Sequence, residues 1–154
     1  MWYVPIRDTM LSDLIRMSPV PVSFVAKVGG TSLENCTKYG AYWYGIDSVK
    51  SKTESHIDIL NNLNDNQKIG TLLHEIGHAE CDKKNCKCVN SDVRGEIHAY
   101  TYTLKWLLKH KQKKILKSEM ELTENNCNRI DYYGDATRHI MKTELWQKCL
   151  NFVK

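Results

Sequence analysis

Residues 70–81, GTLLHEIGHAEC, place two histidines four apart, with a glutamate directly after the first. The surrounding residues predict the helix that carries them. Asn64 and Asp65 lie in a turn- and cap-rich stretch (61–67), and Ile69, Leu72, Leu73 and Ile76 follow as an apolar stripe at i, i+3, i+4 and i+7. At about 100° per residue, His74 and His78 fall roughly opposite that stripe. One face of the helix therefore goes to a core, and both imidazoles point together into whatever lies on the other side. That arrangement suits zinc: two neutral nitrogens from one rigid element, leaving positions for a third ligand and a water. Glu75 sits one residue round the helix, beside such an ion and placed to accept a proton from water. The competing reading is an ordinary helix with two surface histidines, and a third ligand would decide between them.

Two candidates lie close together in SDVRGEIHAYTYTLKWLLKH (91–110): Glu96 and His98. Helical phase separates them. Ala99, Tyr100, Thr103 and Leu107 fall within about 60° of Glu96, in the middle of a broad apolar arc. His98 lies with Lys105 and Lys109 on the strongly polar side, where solvent satisfies it. A carboxylate among apolar neighbours is costly unless it is paired or bound to a metal. Glu96 is therefore the expected third ligand.

The rest of the chain supplies a frame for this helix pair. Residues 8–17 read as a helix with Asp8 as a cap, and 21–28, 39–46 and 55–60 as strands. After residue 90 only helices are expected: about 92–110, 118–128 and 135–152. The order predicts an α+β fold, with a small, mainly antiparallel three-stranded sheet packed against the HExxH helix and further C-terminal helices. The 154 residues read as a single metallopeptidase-like domain (1–154) with enough apolar content for a real core. The longest apolar stretch, 17–30, is short and broken by Pro19, Pro21 and Lys27, so no membrane span is expected. The N-terminus lacks a basic head and an apolar signal core, which predicts a cytoplasmic protein whose six cysteines are mostly free thiols. A net charge of +4 is a mild bias, and the five lysines of 109–117 read as a solvated helix end and linker. Nucleic acid is not expected as a direct ligand. The tryptophans, Trp43 and Trp146 among them, are expected in the core.

Residues 56–81, a strand, a cap-rich turn and then the HEIGH helix, resemble the ImmA/IrrE family of zinc metallopeptidases. The second helix strengthens the likeness: Glu96, Ala99, Tyr102, Thr103, Trp106 and Leu107 follow that family's pattern, and the resemblance covers roughly residues 40–110. It implies one zinc (Zn2+) per chain held by His74, His78 and Glu96, with Glu75 as general base, in a gluzincin-like endopeptidase. Members of the family cleave repressor-type proteins or act in stress and mobile-element regulation, so a regulator or repressor is the implied substrate class. Two departures are visible: no helix-turn-helix is read in the chain, and Tyr100 stands where the family usually has Asn.

On this reading zinc polarises a scissile carbonyl and acidifies water, while Glu75 accepts the proton and returns it to the leaving amine. Tyr100, Tyr102 and His139 are candidates to steady the oxyanion, His139 more readily read as structural. A strand edge at 39–46 or 55–60 could pair with an extended protein or peptide substrate. Cys81, Cys86 and Cys88 are spaced poorly for a zinc knuckle and read as incidental loop thiols; a second zinc completed by Cys127 or Cys149 is the sharper alternative. Two other functions compete. One is a SprT-like protease acting on DNA-bound proteins, with a histidine third ligand. The other is a metal-binding interaction module without turnover, for which Glu75 would have no purpose.

Overall fold

The computed structural model describes residues 6–29, 39–47, 52–86 and 92–154. Its elements run α1 (Ile6–Met17), β1 (Val22–Val25), β2 (Gly40–Trp43), β3 (Ile46–Asp47), β4 (Lys52–Thr53), β5 (His56–Leu60), α2 (Asp65–Lys83), α3 (Asp92–Lys109), α4 (Lys113–Asn126), α5 (Tyr132–Ile140) and α6 (Glu144–Val153). The α+β order is as expected. Helix α1 starts at Ile6, so Asp8 lies inside it instead of capping it.

The sheet is mixed, not mainly antiparallel. β5 is central, parallel to β1 through Val22↔Ile57 and Phe24↔Ile59, and antiparallel to β2 through Gly40↔Ile59 and Tyr42↔Ile57. The alternation of 55–60 specifies which side chains turn inward, and it says nothing of strand direction. A parallel pair needs a long crossover, and residues 26–55 supply one. β3 and β4 form a separate short antiparallel ribbon. Because β5 is paired on both sides, it offers no free edge, which removes 55–60 as a docking strand.

β5 turns Ile57 and Ile59 inward, both fully buried, against the stripe Ile69, Leu72, Leu73 and Ile76 of α2. Tyr42, on the same face as Ile57, reaches past the sheet to donate its hydroxyl hydrogen to Asp82 near the end of α2. On the opposite face, Trp43 stacks across to His56 and donates from Nε1 to Asp58 at 3.0 Å. Trp43 is 37% exposed, correcting its expected place in the core; Trp146 is buried as expected. An indole with a polar partner on the outer face has a reason to stay there.

α2 begins as the cap-rich turn predicts. The Asn64 side chain accepts from Gln67 N at 2.9 Å, and the Gln67 side chain accepts from Asn64 N at 3.1 Å, a reciprocal capping box. The helix is then enclosed by α1, β2, β5, α3 and α4. Its closest neighbour is α3. A Cβ on Gly77 would stand 2.9 Å from Ala99 Cα and 3.1 Å from Tyr102 Cβ, so two small residues let the helices approach.

The C-terminal helices differ from expectation in their ends. α4 starts at Lys113, five residues before the expected 118, because Gln112 provides no side-chain cap to read. The expected helix 135–152 is two. Thr143 closes α5, donating to Ile140 O at 2.6 Å, and opens α6, accepting from Trp146 N at 3.2 Å. All five lysines of 109–117 are exposed at the α3–α4 turn, as the solvated reading holds. No helix among the described residues is long and apolar enough to cross a membrane.

Candidate metal centre

His74 and His78 lie one turn apart on α2 with their ring centroids 5.0 Å apart. Glu96, on the second turn of α3, comes up between them. His74 Nε2 donates to Glu96 Oε2 at 2.8 Å, and His78 Nε2 stands 3.1 Å from the other oxygen, Oε1. One donor atom from each of the three lies within 4.8 Å of the others. The residue singled out by helical phase is thus the one brought to the histidines. Glu96 is 7% exposed, and so is Glu75.

The donor set fits zinc. Two imidazole nitrogens and a carboxylate oxygen, with a fourth position to spare, are the ligands such an ion takes, and in a tetrahedral site neighbouring nitrogen and oxygen donors stand about 3.4 Å apart. The observed separations of 2.8 and 3.1 Å are hydrogen-bonding distances, tighter than that value. A second ring supports the first: Tyr100 meets His74 edge-on, centroids 4.9 Å apart.

The electrostatics follow from burial and the crowding of carboxylates. Burial pulls the His74 imidazole down, but the charge and hydrogen bond of Glu96, with Glu75 and Glu119 behind it, override that and carry its pKa up to about 9. For Glu96, burial pushes up, and the two histidines hold it well below the usual carboxylate range. Burial raises Tyr100 to about 12, with the Glu96 charge acting the same way, so its hydroxyl stays a donor at neutral pH.

The oxyanion candidates separate. Tyr100 stands at the site. Tyr102 packs on Gly77, with Glu80 as the charge acting on it, and His139 is exposed on α5. Tyr133, which the sequence reading did not single out, is partly buried on α5: burial raises its hydroxyl, then a hydrogen bond with Tyr132, with the charges of Glu96, Tyr132 and Glu75 adding to it. Tyr133, Ala136, Thr137 and Ile140 form one stripe of α5, which a helix start at 132 would have revealed.

Glu119 was also missed. It reaches from α4 onto α2 where Gly70 leaves room: a Cβ on Gly70 would stand 1.7 Å from Glu119 Oε1. Burial raises it to about 7, against the charge of His74 one turn along α2. On α4 it falls between Ile115 and Leu116 in helical phase, inside the apolar arc, as Glu96 does on α3.

His98 is exposed, as its polar phase predicts, but it meets sulfur as well as solvent. Its Nδ1 lies 3.0 Å from Cys81 Sγ and 3.6 Å from Cys86 Sγ. Cys81 is disulfide-bonded, which corrects the expected thiol at that position, while Cys86, Cys127 and Cys149 are free. Cys88 lies outside the described residues.

Compared with protein-family models, with curated proteins and with solved structures, the chain finds no match.

Proposed function

We propose that this chain is a zinc-dependent endopeptidase of zincin type, cleaving a peptide bond in a protein substrate of the regulator or repressor class. The reading is supported above all by one observation: the buried Glu96 carboxylate lies between His74 and His78, with Glu75 buried next to the first. The likeness of the two helices to the ImmA/IrrE family supports it further. His74, His78 and Glu96 would hold the zinc, which supplies Lewis acidity towards a carbonyl and towards water.

The chain's own groups would do the rest. Glu75 takes a proton from the attacking water and delivers it to the departing amine. Tyr100, whose ring meets His74 edge-on and whose hydroxyl stays protonated, donates to the developing oxyanion. Among the described residues β2 has one unpaired edge, and the exposed Trp43 and Tyr44 lie at its end. Tyr42 of this strand donates its hydroxyl hydrogen to Asp82, one turn beyond His78, so the strand end lies beside the helix that carries the histidines. An extended segment pairing with β2 would run towards the metal centre.

The test is Glu75→Gln. The variant should keep its helical content and its zinc while cleavage of a bound partner falls by about 10²–10⁴-fold. Full cleavage by that variant would remove Glu75 from the mechanism. A wild type that binds regulators tightly and cleaves none would favour the sequestering module.

A further inference from the structure

A second group of metal-ligating side chains lies at the far end of the α2–α3 pair. Cys81 is in the last turn of α2, Cys86 follows in the turn behind it, and His98 comes from α3, two residues beyond Glu96 and on a different face. One donor atom from each of the three lies within 4.8 Å of the others. We propose that, with its thiols reduced, the chain binds a second zinc-class ion here, through Cys81 Sγ, Cys86 Sγ and His98 Nδ1.

Geometry carries the argument. Two sulfurs converge on one ring nitrogen, at 3.0 and 3.6 Å. In the reduced chain that nitrogen has one hydrogen or one lone pair to share between two thiols. A cation between the three satisfies all of them at once. Zinc–sulfur bonds of about 2.3 Å and zinc–nitrogen bonds of about 2.0 Å, at the tetrahedral angle, put S and N about 3.5 Å apart. The Cys86 distance already has this value, and the Cys81 distance needs to open by about half an ångström to reach it. Two thiolates and an imidazole select zinc over the hard cations. Linear spacing hides the group, because its third member is a histidine on the next helix instead of another cysteine.

The disulfide of Cys81 makes occupancy depend on redox state. A dithiol reductant gives two electrons and two protons to the S–S bond, which breaks to two thiols as the reductant closes to its own cyclic disulfide. On metal binding the Cys81 and Cys86 thiols each release a proton to solvent. The ion would then tie the end of α2 and its following turn to α3, close behind Glu96. This inference is independent of peptidase activity.

Cobalt(II) tests it, since thiolate ligands give a near-ultraviolet charge-transfer band that nitrogen and oxygen donors do not. The whole chain, reduced anaerobically with a dithiol and freed of it, should develop this band on titration with cobalt and lose it on addition of zinc. The band should fall to about half or less in the oxidised chain, where Cys86 is the remaining thiol of the group, and to about half in Cys86→Ser, as one of two thiolates is removed. In His98→Ala the cobalt concentration needed to reach it should rise at least about tenfold, whereas in His74→Ala the band should be unchanged. Circular dichroism of each variant controls for folding. A reduced chain that binds cobalt without the band, or a band indifferent to His98→Ala, would overturn the proposal.

Discussion

Gly77 of α2 and Ala99 of α3 touch backbone to backbone, so closely that a Cβ on the glycine would stand 2.9 Å from Ala99 Cα. The contact lies between His74 and His78 on one helix and just past Glu96 on the other, and it sets how far the carboxylate can rise between the imidazoles. Gly77→Ala should therefore act in two ways. The helices must part, costing about 1–3 kcal/mol of stability as overpacking does. Metal retention should fall too, although no donor is altered. Thermal melting and metal analysis on the same sample check both effects.

Glu96→Ala should lose the ion at the histidine site, because two imidazoles remain without their third donor. The cobalt thiolate band of the second group should survive. Metal analysis after alkylating the thiols isolates the first site, where the variant should hold at least about 100-fold less tightly than wild type.

The His74 pKa of about 9 gives metal uptake a definite pH dependence. Zinc needs a neutral imidazole, so below about pH 9 it must displace a proton, and apparent affinity should fall by up to about tenfold per pH unit on acidification. The metal-free chain behaves oppositely. A raised histidine contributes its full stabilisation below the ordinary value of 6.5 and loses it as pH rises through about 9. The lowered Glu96 contributes above its ordinary value of 4.5 and loses its contribution as pH falls through its lower folded pKa. Chelator-treated protein should thus decline in melting temperature from pH 6.5 to 9, and proton release on zinc addition should be measurable by calorimetry in two buffers.

Gly70 and Glu119 should be coupled. Gly70→Ala places a methyl where the Glu119 carboxylate lies, and Glu119→Ala vacates that space. The double variant should be more stable than the sum of the two losses predicts, by about 0.5–3 kcal/mol of interaction energy. Denaturant unfolding of the four proteins completes the cycle, and simple additivity would show that the carboxylate turns aside freely.

The site was legible where helical phase carried it. Glu96 stood out because a carboxylate in an apolar arc needs a partner, and the structure supplies two histidines. The same reasoning would have found Glu119, but starting α4 at 118 removes Ile115 and Leu116, the neighbours that define its arc. Tyr133 was lost in the same way, with the start of α5. Strand direction was not legible, since alternation reports burial and leaves pairing to the connections. The Cys81, Cys86 and His98 group was hidden because it joins a turn to a helix face, a relation that linear spacing does not encode.

Glu96 spends each of its oxygens on a different histidine, so the three side chains hold one another in place. Freezing a mobile side chain on binding typically costs about 0.5–1.5 kcal/mol, and here folding has met that cost before any ion arrives. What an entering ion must overcome is the hydrogen bonding and proton affinity of the donors, an enthalpic barrier more than an entropic one. Uptake is then an exchange of protons for a cation inside a preorganised frame.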